Sequence, residues 1–128
     1  MKPLGPRNIG IMSLLGYRFP LAAIASILHR ISGIILFLLI PFALWVLHLS
    51  LASQMSFLMV KDYFGSPVVA FLIWLMLSAL FYHLSAGLKH LLMDIGFFEE
   101  KVSGKVASSL VLVIGTVGII GIGVWMLC

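Results

Sequence analysis

Long apolar runs limit this chain more than any motif does. From Ile31 to Leu51 there is no Asp, Glu, Lys or Arg, and two further stretches, from Pro67 to about Met93 and from Val106 to Leu127, are nearly as apolar. About twenty such residues are needed for a helix to cross roughly 30 Å of hydrocarbon. Three runs therefore predict three transmembrane helices, spanning about 21–51, 67–93 and 106–127. A soluble fold is excluded by composition: 62% of the residues are hydrophobic and 9% charged, against about a quarter charged in soluble domains. The fold expected is an all-α membrane protein, with residues 1–128 forming one anchoring domain.

The segments between the runs supply punctuation. Pro3, Gly5, Pro6, Asn8, Gly10 and Gly16 break regular structure, so Met1 to Phe19 reads as an irregular arm at the membrane surface. Pro20 suits the first turn of a helix, and Pro41 leaves the carbonyl of Phe37 without its donor and should kink that helix. A short polar loop carrying Gln54, Lys61 and Asp62 is expected after the first span. It ends at Ser66 and Pro67, a capping residue followed by a first-turn proline. Gly115, Gly118, Gly121 and Gly123 in the third span are expected to let neighbouring helix backbones approach closely.

The net charge of +4 reads as topology and not as a nucleic-acid surface, because the basic residues are scattered singly. Of the lysines and arginines, all but Lys61 fall at the amino end or around the second loop. The positive-inside rule then places the amino terminus in the cytoplasm and Cys128 on the far side, with Trp45 and Trp125 as outer interfacial anchors. Cys128 has no partner for an internal disulfide. No cleavable signal is expected, since the first apolar run starts late and is too long, and no Arg-rich and Ser-rich transit segment precedes it. A multi-pass protein of a bacterial inner membrane fits these features.

Ionisable groups in or beside a span cost free energy and draw attention to function. They are His29, Arg30, His48, His83, Lys89, His90 and Asp94. Most belong to the cytoplasmic ends of the first two spans, and His83 alone lies well inside. His83, Gly87, His90 and Asp94 follow spacings of four, three and four, which puts them on one helix face. Gly87 would leave a flat space for a large planar ligand, although ordinary helix packing is the alternative. His83 and His90 cannot ligate one haem iron from both sides, because seven helical residues separate them by about 10 Å on the same face. A second ligand would come from His29 or from another protein.

Ser26 and Arg30, one turn apart, offer a hydroxyl and a fixed cation that could hold a quinone carbonyl or an anion. The alternatives are snorkelling of Arg30 to headgroups and bonding of Ser26 back to its own helix. His48 reads as an interfacial residue. No nucleophile, base and orienting partner can be assembled, and no acidic residue lies deep in a span as proton-coupled transport usually needs.

The run Tyr17-Arg18-Phe19-Pro20, followed by Ala25-Ser26-Ile27-Leu28-His29-Arg30-Ile31-Ser32-Gly33, resembles the amino-terminal signature of the cytochrome b anchor subunits of succinate dehydrogenase. Tyr82-His83, Gly87-Leu88-Lys89-His90 and Asp94 are similar to the second motif of that family, and the resemblance covers essentially the whole chain. It implies a complex in which a flavoprotein subunit oxidises succinate, an iron-sulfur subunit carries electrons, and two small membrane subunits anchor them. By the same resemblance His83 is one axial ligand of haem b, and its iron takes the other from the second anchor. His29, near the haem propionates, and His90 would also contact haem, while Ser26, Arg30 and Asp94 would line a ubiquinone site near the cytoplasmic surface. Lys89 departs from the arginine common at that position, and lysine lacks arginine's bidentate fork. The anchor of a quinol:fumarate reductase, a haem-free structural adaptor and a small exporter are the competing readings. Membrane lipid is an expected partner and nucleic acid is not.

Overall fold

The computed structural model describes residues 19–128, so the arm predicted for the amino-terminal end lies almost wholly outside the described residues. Four helices follow in order: α1 Leu21–Ala52, α2 Gln54–Tyr63, α3 Pro67–Asp94 and α4 Lys101–Leu127. Three of them, α1, α3 and α4, are long and apolar enough to cross a membrane. Each of these three packs against the other two, and α2 packs on α1.

Local chemistry explains where the helices start and stop. Pro20 sits extended before α1 (φ −63°, ψ 148°), and its carbonyl accepts from the Ala23 and Ile24 amides. The α1 helix continues through Pro41 to Ala52. The expected polar loop is instead largely helical. Ser53 turns extended (φ −166°) and accepts from the Ser56 amide at 3.1 Å, while the Ser56 hydroxyl accepts from the Ser53 amide at 3.0 Å. Such reciprocal capping satisfies two amides that a helix start would otherwise leave bare. The resulting ten-residue helix buries Val60.

At the end of α3 the Phe97 amide reaches the Leu92 carbonyl at 2.9 Å and the Gly96 amide reaches Met93 at 3.0 Å. With Gly96 at φ +93° this is the Schellman arrangement, which a residue without Cβ adopts at little cost. The last helix begins at Lys101, earlier than the expected Val106. Apolar length marks the part of a helix that spans, and the helix itself extends one polar turn further.

The interior is made mostly of small residues. Ala25, Ser32, Ser78, Ala79, Ala86, Ala107, Ser108 and Gly115 are buried, whereas Phe37, Leu38, Leu88, Val117 and Leu127 face outward. That inversion fits a bilayer, where burying large apolar groups between helices gains nothing over burying them in lipid tails. Tyr82, Ala86 and Val111 form a buried hydrophobic cluster.

The glycines of α4 work differently from the expectation. A Cβ on Gly115 would stand 2.5 Å from Tyr82 Cδ2, one on Gly118 would overlap the Phe81 ring, and one on Gly123 would come within 3.2 Å of Trp74 Nε1. They seat aromatic rings of α3, and Trp74 in turn donates to the Ile119 carbonyl at 3.3 Å. Gly121 meets nothing within 4 Å.

Candidate functional site

Two stripes of α3 have to be distinguished. Ser78, Tyr82, Ala86 and Lys89 form the buried stripe. His83, Gly87 and His90, one residue round the helix, are half-buried, and Asp94 at the helix end is exposed. The predicted face therefore exists, but it borders the packed core.

From α1, His29 meets this face. Its ring stacks on His83 with centroids 4.1 Å apart and planes 20° apart, and lies 5.3 Å from the ring of His90. The structure thus gathers all three predicted histidines into one cluster between α1 and α3. It removes one option left open above: axial ligands approach iron from opposite faces of a porphyrin, and two stacked imidazoles leave no room for the ring between them. His29 is not the partner ligand of His83 in this arrangement. Nor do any three or more His, Cys, Asp or Glu side chains among the described residues group so as to hold a metal ion.

Gly87 does not leave the empty flat space expected of it. A Cβ there would stand 3.6 Å from His29 Nε2, an ordinary contact, so the His29 ring takes that space. His29 Nε2 is itself buried without a hydrogen-bond partner. A buried polar atom in that condition costs free energy until something satisfies it.

The register that makes this cluster is fixed by groups to which the sequence reading gave no role. The Tyr82 hydroxyl donates to the Ala25 carbonyl at 3.2 Å, tying α3 to α1 one turn from His29. His83 Nδ1 lies 3.2 Å from the His29 carbonyl and 3.1 Å from Ser32 Oγ. Next to Ser32, Gly33 allows the close approach, since a Cβ there would be 3.1 Å from His83 Cε1. A signal existed: Ala25, His29 and Ser32 recur at helical spacing.

Ser26 is half-buried and Arg30 exposed, on the flank of α1 beside the histidine face. Serines 50, 85, 108 and 109 bond back to carbonyls of their own helices. Ser26 does not: among the described residues no hydrogen bond or ion pair engages Ser26, Arg30 or Asp94. The hydroxyl and the guanidinium are thus free for an external ligand. No contact brings Asp94 to them.

Lys89 lies elsewhere. It is 7% exposed and lines a cavity of about 630 Å³ with Pro20, Met93, Glu99, Lys101 and Lys105, where the ends of α1, α3 and α4 meet. His48 is exposed near the other end of α1, as are Trp45 and Trp125.

Fold and site together define a multi-pass all-α membrane subunit with a histidine cluster between two spans. Residues 12–123 match the family model described as succinate dehydrogenase/fumarate reductase transmembrane subunit, and the chain belongs to that family. It is 39% identical over 116 residues to the succinate dehydrogenase cytochrome b556 subunit of Coxiella burnetii (strain RSA 493 / Nine Mile phase I), covering 90% of this chain and 93% of the relative. It is 36% identical over 120 residues to the protein of the same name from Paracoccus denitrificans, covering 91% and 84%. The succinate dehydrogenase cytochrome b560 subunit of Marchantia polymorpha is 33% identical over 104 residues, covering 77% and 72%.

Proposed function

We propose that this chain binds haem b and forms part of the ubiquinone-reducing site of a succinate dehydrogenase, in the inner membrane of a bacterium. It does so with a second small anchor, an iron-sulfur subunit and a flavoprotein subunit. The observation that carries the reading is the His29, His83 and His90 cluster between α1 and α3, with an unsatisfied buried imidazole nitrogen on His29. Three histidines at one end of a membrane bundle, one with an Nε2 that has no hydrogen-bond partner among the described residues, fit a ligand that brings both a metal and hydrogen-bond acceptors. Haem b has both, in its iron and its propionates.

In this reading His83 would hold the haem iron, and His29 and His90 would contact the same group, His29 by hydrogen bonding to a propionate. Haem b, when bound, supplies a one-electron store beside the quinone site. The second anchor would supply the other iron ligand, since the His29 ring stacks on His83. Ser26 orients the quinone by donating its free hydroxyl to a ring carbonyl. Arg30 places a fixed cation where negative charge develops on that oxygen as electrons arrive from the iron-sulfur subunit, an effect strongest where water is excluded. Asp94 borders the site from the end of α3. The names of the three relatives favour the succinate-oxidising direction over fumarate reduction.

The reading is tested on the complex co-expressed with its partners, by the dithionite-reduced minus oxidised spectrum of wild type and His83→Ala and by succinate:quinone turnover of Ser26→Ala and Arg30→Lys. A b-type signal lost or shifted in His83→Ala, with a raised quinone KM in the other two, is expected. A wild-type complex without haem bands would leave a haem-free anchor as the account. An unchanged His83→Ala spectrum would remove His83 as ligand.

A further inference from the structure

Around His83, three polar atoms fix more than a ring position. Ser32 Oγ lies 2.8 Å from the His29 carbonyl oxygen, 3.1 Å from His83 Nδ1, and that same carbonyl lies 3.2 Å from His83 Nδ1. A carbonyl oxygen only accepts. The short Ser32 bond to it must therefore use the hydroxyl hydrogen, so Ser32 turns a lone pair toward His83. Both neighbours of Nδ1 then present acceptors, and the consistent assignment is a protonated Nδ1 shared between them. In a neutral imidazole the other nitrogen carries the lone pair.

We propose that Ser32 is a positioning residue for His83: with the His29 carbonyl it holds Nδ1–H, and so presents a bare Nε2 as the ligating atom. The proposal rests on the haem reading above and adds a residue to it. Nε2 makes no hydrogen bond among the described residues and is not among their buried unsatisfied atoms, so it opens on the surface of the bundle. Ser32 is 5% exposed, so water cannot readily replace its hydroxyl. Gly33 permits the approach, with only 3.1 Å between its would-be Cβ and His83 Cε1. A hydrogen bond from the far nitrogen of a ligating histidine fixes ring orientation and raises ligand basicity, and losing such a bond typically costs about 10–100-fold in metal affinity or activity.

The His29 carbonyl remains when Ser32 is changed, so the lower end of that range applies. More basic imidazole favours the ferric state. A loss of about tenfold that falls on ferric haem and spares ferrous haem corresponds in Ser32→Ala to a rise of about 59 mV in a one-electron midpoint potential.

The experiment is a redox titration of the b-type haem, with haem-to-protein ratio and the EPR spectrum of the ferric haem, in the assembled complex carrying Ser32→Ala or Ser32→Thr. A potential raised in Ser32→Ala and restored in Ser32→Thr, whose hydroxyl can make the same bond to the carbonyl, is expected. Unchanged potential and EPR spectrum in Ser32→Ala overturn the proposal. If Ser32→Ala assembles without haem, recovery of haem in Ser32→Thr supports it, and loss in both variants makes Ser32 a packing residue and overturns it. A wild-type complex lacking haem overturns the haem reading and this assignment together, which separates that failure from the others.

Discussion

Gly33→Ala is the smallest change that loads the histidine cluster from the helix side. The added Cβ would lie 3.1 Å from His83 Cε1 and 3.5 Å from Nδ1, where carbon atoms ordinarily rest about 3.5–4.0 Å apart. The ring edge must retreat by about half an ångström, away from α1. Both acceptors of Nδ1 sit on α1, at 3.1 and 3.2 Å. Retreat takes those bonds beyond the distances at which N–H···O bonds are effective, roughly 3.2 Å. Overpacking of this kind costs about 1–3 kcal/mol, and replacing a helical glycine by alanine returns up to about 1 kcal/mol. With that gain taken at about 1 kcal/mol, the net is a loss of about 0–2 kcal/mol, concentrated on His83. Gly121→Ala is the matched control, because its Cβ would meet nothing within 4 Å and only the helix-propensity gain applies. Haem content per complex and the midpoint potential, measured on both variants, are expected to change in Gly33→Ala and to stay at wild-type values in Gly121→Ala. Equal behaviour of the two variants would refute the claim that Gly33 sets the approach of α1 to His83.

Gly118→Leu places a side chain where the Phe81 ring already stands. It should abolish stable assembly, and Phe81→Ala in the same chain should partly restore it, as read by the yield of intact complex on size-exclusion chromatography in mild detergent. Tyr82→Phe removes the bond to the Ala25 carbonyl while keeping the ring in the core. Interhelical bonds in membranes are worth about 0.6 kcal/mol on average and up to about 1.7, so steric-trapping measurements should find a loss in that range with helix content unchanged.

Hydropathy was enough to read the three spans, because the bilayer sets a length that only long apolar runs satisfy. It could not show α2. The Ser53 and Ser56 capping pair uses serine where glutamate would have advertised a capping box, and the segment it starts mixes Met, Phe, Lys and Asp. Nor could it tell where α4 begins, since charged residues at a membrane boundary do not stop a helix. Gly115, Gly118 and Gly123 were legible as contact positions of α4, but what they contact depends on interhelical register. Tyr82, Phe81 and Trp74 could be assigned to them only once the helices were packed.

The site divides in the same way. Single-helix relations survived: His83, Gly87 and His90 share a face, and Ser26 and Arg30 share a flank. The meeting of His29 with His83 required the relation between helices, which is set by the Tyr82 hydroxyl on Ala25 and by the bare Cα of Gly33. Ser26, Arg30 and His83 Nε2 make no hydrogen bond among the described residues, on a molecule whose outer surface is otherwise lined by groups such as Leu28, Ile31, Ile34 and Phe37. Polar groups left unpaired beside lipid are costly. A surface that sets them beside large apolar side chains is one made to be covered, by ligands with matching polar atoms and by other helices. That favours a shared site over a self-contained one, and is why the partner ligand should be sought outside this chain.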